Sequence, residues 1–368
     1  MSNFDIANIA LQAVCPANEM KYDDKGIPSV MVKIPKQTWA QLGVGTSTEI
    51  FPAWIVNGRE VDYIYFSKYQ NVVSNERAYS LPAQDPRANI TLDQSVNYCV
   101  NKGQGWHNMT RLEWMAVALW CLKNGIQPKG NNNYGKDISE STYKAVPSMA
   151  RDSSNRIQSV ATGTGPLSWS HDGTVNGIWD MNGNVHEWQS GIRFVNGELQ
   201  VISNDGLTFG NDAADSDNSQ GASSALWRAI NGKTGALIAP DGNGTTANSL
   251  KADWVNGAWK WITGTLSNKD TTYHACDFEA ITADTDVCET AQHFLMALGM
   301  LKSDATAGIY NGDKFYLING EAERALVAGG DWDSGAVAGV FYANGYSARS
   351  GSNSSVGFRA AYVDLPTV

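Results

Sequence analysis

The stretch from Ala325 to Tyr362, ALVAGGDWDSGAVAGVFYANGYSARSGSNSSVGFRAAY, decides how the rest of this chain is read. Seven Gly, eight Ala and six Ser share it with Trp332, Phe341, Tyr342, Tyr346, Phe358 and Tyr362. Its only charges are Asp331, Asp333, Arg349 and Arg359, and it holds no Cys, His, Lys, Glu or Pro. Acid–base, nucleophilic and metal chemistry lack their usual side chains here. Binding through shape, aromatic surface and small polar groups does not. A flexible Gly/Ser tail would share much of this composition. The recurring aromatics, and the apolar alternation from Val337 to Phe341, argue against one. Val356 to Tyr362 reads as a strand. The stretch is expected to form strands joined by exposed loops at the end of a folded domain.

The whole chain is compatible with that. Its 368 residues, 42% hydrophobic with thirteen Trp, can bury a large core in one domain or two. A net charge of −10 argues against nucleic acid or an anionic membrane surface as partner. No apolar run reaches the ~18 residues of a membrane helix, so no membrane insertion is expected. The first twenty residues lack the basic start and apolar run of a secretory signal, which points to cytosolic synthesis. Cys15, Cys99, Cys121, Cys276 and Cys288 are odd in number and form no CxxC pair. Buried free thiols are expected, with a Cys276–Cys288 bridge as the alternative.

In chain order, residues 1–28 read as an N-terminal arm with a helix from Asp5 to Val14. Met31 to Pro35 alternates as a strand. Glu49 to Val56 and Val61 to Phe66 read as two more, joined by the Asn57-Gly58 turn. Thr91 with Gln94, and Thr110 with Glu113, are capping boxes that open two helices. The second, Leu112 to Leu122, is apolar nearly all round and should be deeply buried. Asn89-Ile90-Thr91 and Asn108-Met109-Thr110 spell glycosylation sequons but serve better as helix caps. A polar loop from Gly130 leads to Gly177–Trp188, read as strand–turn–strand with a corner at Asn182-Gly183. Residues 204–320 are expected to be largely irregular, an insertion or subdomain with one helix from Val287 to Leu298.

Reactive motifs mostly fail. His186-Glu187 lacks the second His of a zinc protease, since Ser190 stands there. Asp215-Ser-Asp217 starts like a calcium loop but lacks its closing Glu. No GxxxxGK[ST], GxSxG or GxGxxG occurs. The carbonyls of Asn182 and Val185 with the Glu187 carboxylate could hold one structural Ca²⁺. The competing reading is a structural turn with Glu187 in a buried ion pair.

Ile178-Trp179-Asp180-Met181-Asn182-Gly183-Asn184-Val185-His186-Glu187-Trp188 resembles the xWDMxGNVxEW signature of the formylglycine-generating-enzyme-like branch of the C-type lectin fold. Met31–Pro35, Ser67–Val72, Met109–Trp114 and Gly329–Trp332 with Gly357–Arg359 are similar to that branch's other landmarks, in order. The implied fold is an α+β C-type lectin fold over residues 29–368, with 204–320 inserted. Catalytic members carry cysteines between the last two landmarks. Asp333 to Val356 contains none, so enzymatic activity is not expected.

Gly329 to Ala361 looks more like the variable proteins of diversity-generating retroelements, which bind ligands on this fold without catalysis. The resemblance implies a variable region at about 330–357. Its contact residues would be Asp331, Asp333, Ser334, Ala336, Val337, Tyr342, Asn344, Gly345, Tyr346, Ser347, Gly351 and Asn353. Trp332, Phe341, Phe358 and Arg359 would be scaffold. It further implies phage receptor binding or host adhesion, with a protein or glycan on a host cell surface as partner. The location would be a virion tail, or alternatively a bacterial surface or the cytoplasm. Multivalent display would favour a homo-oligomer such as a trimer.

Overall fold

The computed structural model describes residues 3–365. Among the described residues, two large β-sheets and two two-stranded ones are accompanied by four α-helices: α1 (Asn3–Val14), α2 (Leu92–Val100), α3 (Arg111–Lys123) and α4 (Glu289–Ala297). Both expected capping boxes form. Thr91 accepts from the backbone N–H of Gln94 and Thr110 from that of Glu113, and each partner side chain reaches back. Each satisfies two donors that the first helical turn would otherwise leave orphaned.

α3 is the centre of the core. Arg111 to Leu119 and Cys121 are all buried, in one cluster with Val32, Ile64, Phe66, Phe194, Leu317 and Leu326. Arg111 survives burial by donating from Nε to the carbonyl of Leu298, 2.8 Å away, at the end of α4. A cation at a helix C-terminus also meets the negative end of its dipole. Trp114 donates from its indole N–H to the carbonyl of Val340 at 2.7 Å, which ties the core helix to the C-terminal stretch.

The smaller sheet is antiparallel, in the order Asn18–Tyr22, Pro28–Pro35, Tyr63–Ser67, Ala360–Tyr362 and Trp106–Asn108. The last strand of the chain is thus inserted between strands from its first third. The larger sheet runs His274–Asp277, Lys314–Leu317, Ala343–Ser347, Arg324–Ala328, His186–Val195, Glu198–Ile202, Lys251–Val255 and Ala258–Ile262, with shorter strands beyond and beside it. The molecule is α+β and mostly sheet.

Several expectations need correcting. Residues 1–28 are no separate arm, because Asn18–Tyr22 pairs with Pro28–Pro35 and a boundary at 28 would cut that hairpin. Asn57-Gly58 does turn the chain, but between two-residue strands, since a 3₁₀ turn at Pro52–Trp54 replaces the longer first strand. The first half of Gly177–Trp188 is irregular: Asp180, Gly183 and Asn184 have φ of 63°, 79° and 67°, incompatible with a strand. Residues 204–320 carry strands throughout and continue the larger sheet. Those strands are short, and the Asp/Gly/Asn turns between them dominate the composition. All five cysteines are free.

Candidate binding surface

The last strand is fixed from below by a buried cluster. Arg359, with 0% exposure, donates from Nε and Nη2 to the two carboxylate oxygens of Glu187 at 2.9 and 2.8 Å. It also donates to the carbonyls of Ser67 and Trp179, each at 2.8 Å. Gln70 donates to Glu187 and to the carbonyl of Val185, both at 3.0 Å. Asn184 donates to Gln70 and accepts from the backbone N–H of Val160. Gly183 is required where it stands, since a Cβ would lie 2.2 Å from the carbonyl oxygen of Asn131.

This arrangement overturns the Ca²⁺ site expected at Asn182, Val185 and Glu187. Both Glu187 oxygens and the Val185 carbonyl are already hydrogen-bonded, and a guanidinium occupies the place of the cation. The Asn182 side chain is part of the same packing, donating to the Pro128 carbonyl and accepting from Asn132. Among the described residues, no group of three His, Cys, Asp or Glu could hold a metal.

On this base the C-terminal stretch divides into a buried frame and two outward segments. Trp332 and Phe341 are each 4% exposed and Phe358 is fully buried. Phe341 packs on Phe278 and Tyr310 at ring distances of 5.0 and 4.9 Å. Asp333, Ser334, Ala336 and Val337 form the first outward segment, exposed or half-exposed. Loop 130–135 supports it: Tyr134 N–H donates to the Trp332 carbonyl and Gly335 N–H to the Asn132 carbonyl. Tyr346, Ser347, Gly351 and Asn353 belong to the second, again exposed or half-exposed. The start of α2 supports that one, with Leu92 N–H donating to the Arg349 carbonyl and Asn89 N–H to the Asn353 carbonyl.

Four expected contact residues lie underneath. Tyr342 is buried, stacked on His186 at 5.4 Å and against Tyr316 at 5.6 Å. Asn344 is buried with its carbonyl oxygen accepting from Tyr346 N–H and its amide donating to the Tyr342 hydroxyl. Gly345 has no room for a side chain, since a Cβ would meet Leu317 at 2.8 Å and the Phe194 ring at 3.3 Å. Asp331 is buried with Nε2 of His186 3.4 Å away and the Ser334 hydroxyl at 2.6 Å. Burial raises the Asp331 pKa, but His186 and the Ser334 and Ser355 hydroxyls outweigh it and hold the group below the usual carboxylate range. Burial, and then the negative charge of Asp331, push Asp333 up. Asp331 therefore braces the first outward segment from beneath through Ser334.

Three participants escaped sequence reasoning. Arg349 is 9% exposed and bonds Asp93, Glu323 and the Gln220 carbonyl, so it pins the second segment from within. Tyr273 and Tyr316 come from residues 204–320, and the Tyr273 ring lies 5.8 Å from that of Tyr346. No local signal marks any of the three, because their partners are remote in sequence.

No protein-family model and no curated protein matches the chain. Solved structures with a likeness include PvdO from Pseudomonas aeruginosa, 12% identical over 94% of this chain and 97% of that one, with a TM-score of 0.35. Treponema denticola variable protein 1 is 10% identical over 94% and 99%, with a TM-score of 0.31. The Major Tropism Determinant P3c variant is 10% identical over 94% and 71%, with a TM-score of 0.30. Likenesses this distant carry no argument about activity. No helix among the described residues is long and apolar enough to cross a membrane.

Proposed function

We propose that this chain is a ligand-binding protein of the C-type lectin fold whose region 330–357 is diversified by a retroelement and serves phage receptor binding or host adhesion. The observation that carries this reading is the division of one short stretch into two kinds of residue. Trp332, Phe341, Phe358 and Arg359 are buried and held by the core, while 333–337 and 346–355 are largely outward. Loops on a rigid base can change their side chains without unfolding the domain. Their content of Tyr, Ser, Gly and Asn suits adaptable recognition, with aromatic area at low entropic cost.

The proposed role is recognition without catalysis. The nearest acid–base pair, His186 and Asp331, is buried beneath the surface. An enzyme of the formylglycine-generating type would need cysteines between Asp333 and Val356, where there are none. The partner is a protein or glycan on a host cell, the location a virion tail, and oligomeric display would add avidity. The test is the flanking DNA. A near-copy of the 330–357 coding stretch, differing at adenines and accompanied by a reverse-transcriptase gene, is expected. A flank with neither overturns the proposal.

A further inference from the structure

Residues far from the C-terminal stretch stand on the same outer face. Lys314–Leu317 pairs in parallel with Ala343–Ser347, with Tyr316 opposite Asn344. Alternation along the strands then puts Tyr316, Tyr342, Asn344 and Tyr346 on one side. Tyr273, just before His274–Asp277, completes the row. Its ring is 6.2 Å from Tyr316 and 5.8 Å from Tyr346. The run therefore extends from buried His186 through Tyr342 and Tyr316 to two outward rings, Tyr273 at 56% exposure and Tyr346 at 40%.

The charged groups near this row are mainly acceptors. Asp270 is half-exposed and bonded to His274, and Lys314 is already paired with Asp277 at 2.6 Å. An anionic ligand would meet carboxylates and no unpaired cation among these groups. A ligand with an apolar face and a rim of hydroxyl donors suits them.

We infer that Tyr273 and Tyr316 form a constant part of the binding surface and that this part takes a neutral glycan, one sugar face lying across Tyr273 and Tyr346. This rests on the binding role proposed above for 330–357. The faces of tyrosine rings carry negative potential. The C–H groups on the apolar face of a pyranose carry partial positive charge and pack against them, while the sugar's hydroxyls donate to Asp270. Stacking requires only an aromatic face, so the Tyr273 contact persists when Tyr346 and its loop neighbours are rewritten, and Tyr346 adds a second ring only in variants that keep it. The constant rings supply area, and the changing residues choose among sugars.

The test is a panel of neutral oligosaccharides on the intact protein, followed by titration calorimetry of any that bind. At least one is expected to bind. Tyr273→Ala should weaken it about tenfold or more, as truncating an aromatic anchor does. Tyr273→Phe, which keeps the ring, should restore binding, with melting temperature unchanged in both. No binding across the panel, or binding indifferent to Tyr273→Ala, overturns the inference. A cell-surface protein whose binding falls with Tyr346→Ala but not Tyr273→Ala also overturns it and leaves the diversified surface standing. A glycan lost with Tyr273→Ala yet indifferent to changes at Asp333, Ser334, Ser347 and Asn353 supports the tyrosines and counts against the proposed function.

Discussion

Glu187→Gln tests the base on which the surface stands. Glu187 is 1% exposed and holds Arg359 through two bonds of 2.8 and 2.9 Å. The substitution keeps the shape but removes the negative charge that faces the guanidinium, leaving it with neutral acceptors at position 187, Ser67 and Trp179. Breaking a buried pair from one side costs about 3–5 kcal/mol. That is a large share of the ~5–15 kcal/mol that holds a typical domain together. Urea unfolding, followed by tryptophan fluorescence and circular dichroism, should show a much lower midpoint with an unchanged slope. Changing both residues to Met should recover part of the loss, because no charge then remains unpaired. Recovery should be incomplete, since two carbonyls lose their donor at ~1–3 kcal/mol each. A loss under about 1 kcal/mol for Glu187→Gln would refute the reasoning. So would stabilisation of the wild type by Ca²⁺ that disappears with Glu187→Gln, which would put an ion where we place the guanidinium.

Tyr346→Ala should weaken ligand binding by about 1–3 kcal/mol and leave the unfolding midpoint in place; an unfolded variant would make Tyr346 part of the frame. Gly345→Ser should destabilise by about 1–3 kcal/mol because its Cβ collides with Leu317 and Phe194, whereas Ser347→Ala should be near neutral; equal midpoints would refute the packing argument. Arg349→Ala should cost about 1–3 kcal/mol, a figure kept low because Asp93, one of its partners, is largely exposed; thermal unfolding without a shift would show the position free to vary. Asp313, whose carboxyl accepts from Phe341 N–H at 2.8 Å, is pushed by burial to about 7. Between the ordinary value near 4 and about 7 the folded state keeps a proton that the unfolded state has lost. The Asp313 contribution to stability therefore falls as pH rises through that window and is flat above it. Asp313→Asn should remove this slope, and parallel stability–pH curves for the two proteins would count against it.

What could be read from the residues alone was the chemistry that acts over a few positions. Thr91 with Gln94 and Thr110 with Glu113 start helices because cap and partner are three apart. The all-round apolar run of α3 could only be a buried helix, and Asn57-Gly58 could only be a turn. The scaffold role of Trp332, Phe341 and Phe358 came from the family resemblance, and all three are buried.

The surface itself was another matter. Whether Tyr342 faces water depends on His186 and Tyr316, whose rings cover it. Whether Gly345 can vary depends on Leu317 and Phe194, and whether Glu187 binds an ion or a guanidinium depends on Arg359, 172 positions away. Pairing across the larger sheet brought residues 204–320 beside the C-terminal stretch and added Tyr273 to its aromatic face. Local spacing specifies a cap or a turn, because both partners lie within one turn of chain. Exposure is a property of what covers a residue, and here the cover arrives from strands that only the folded sheet places alongside.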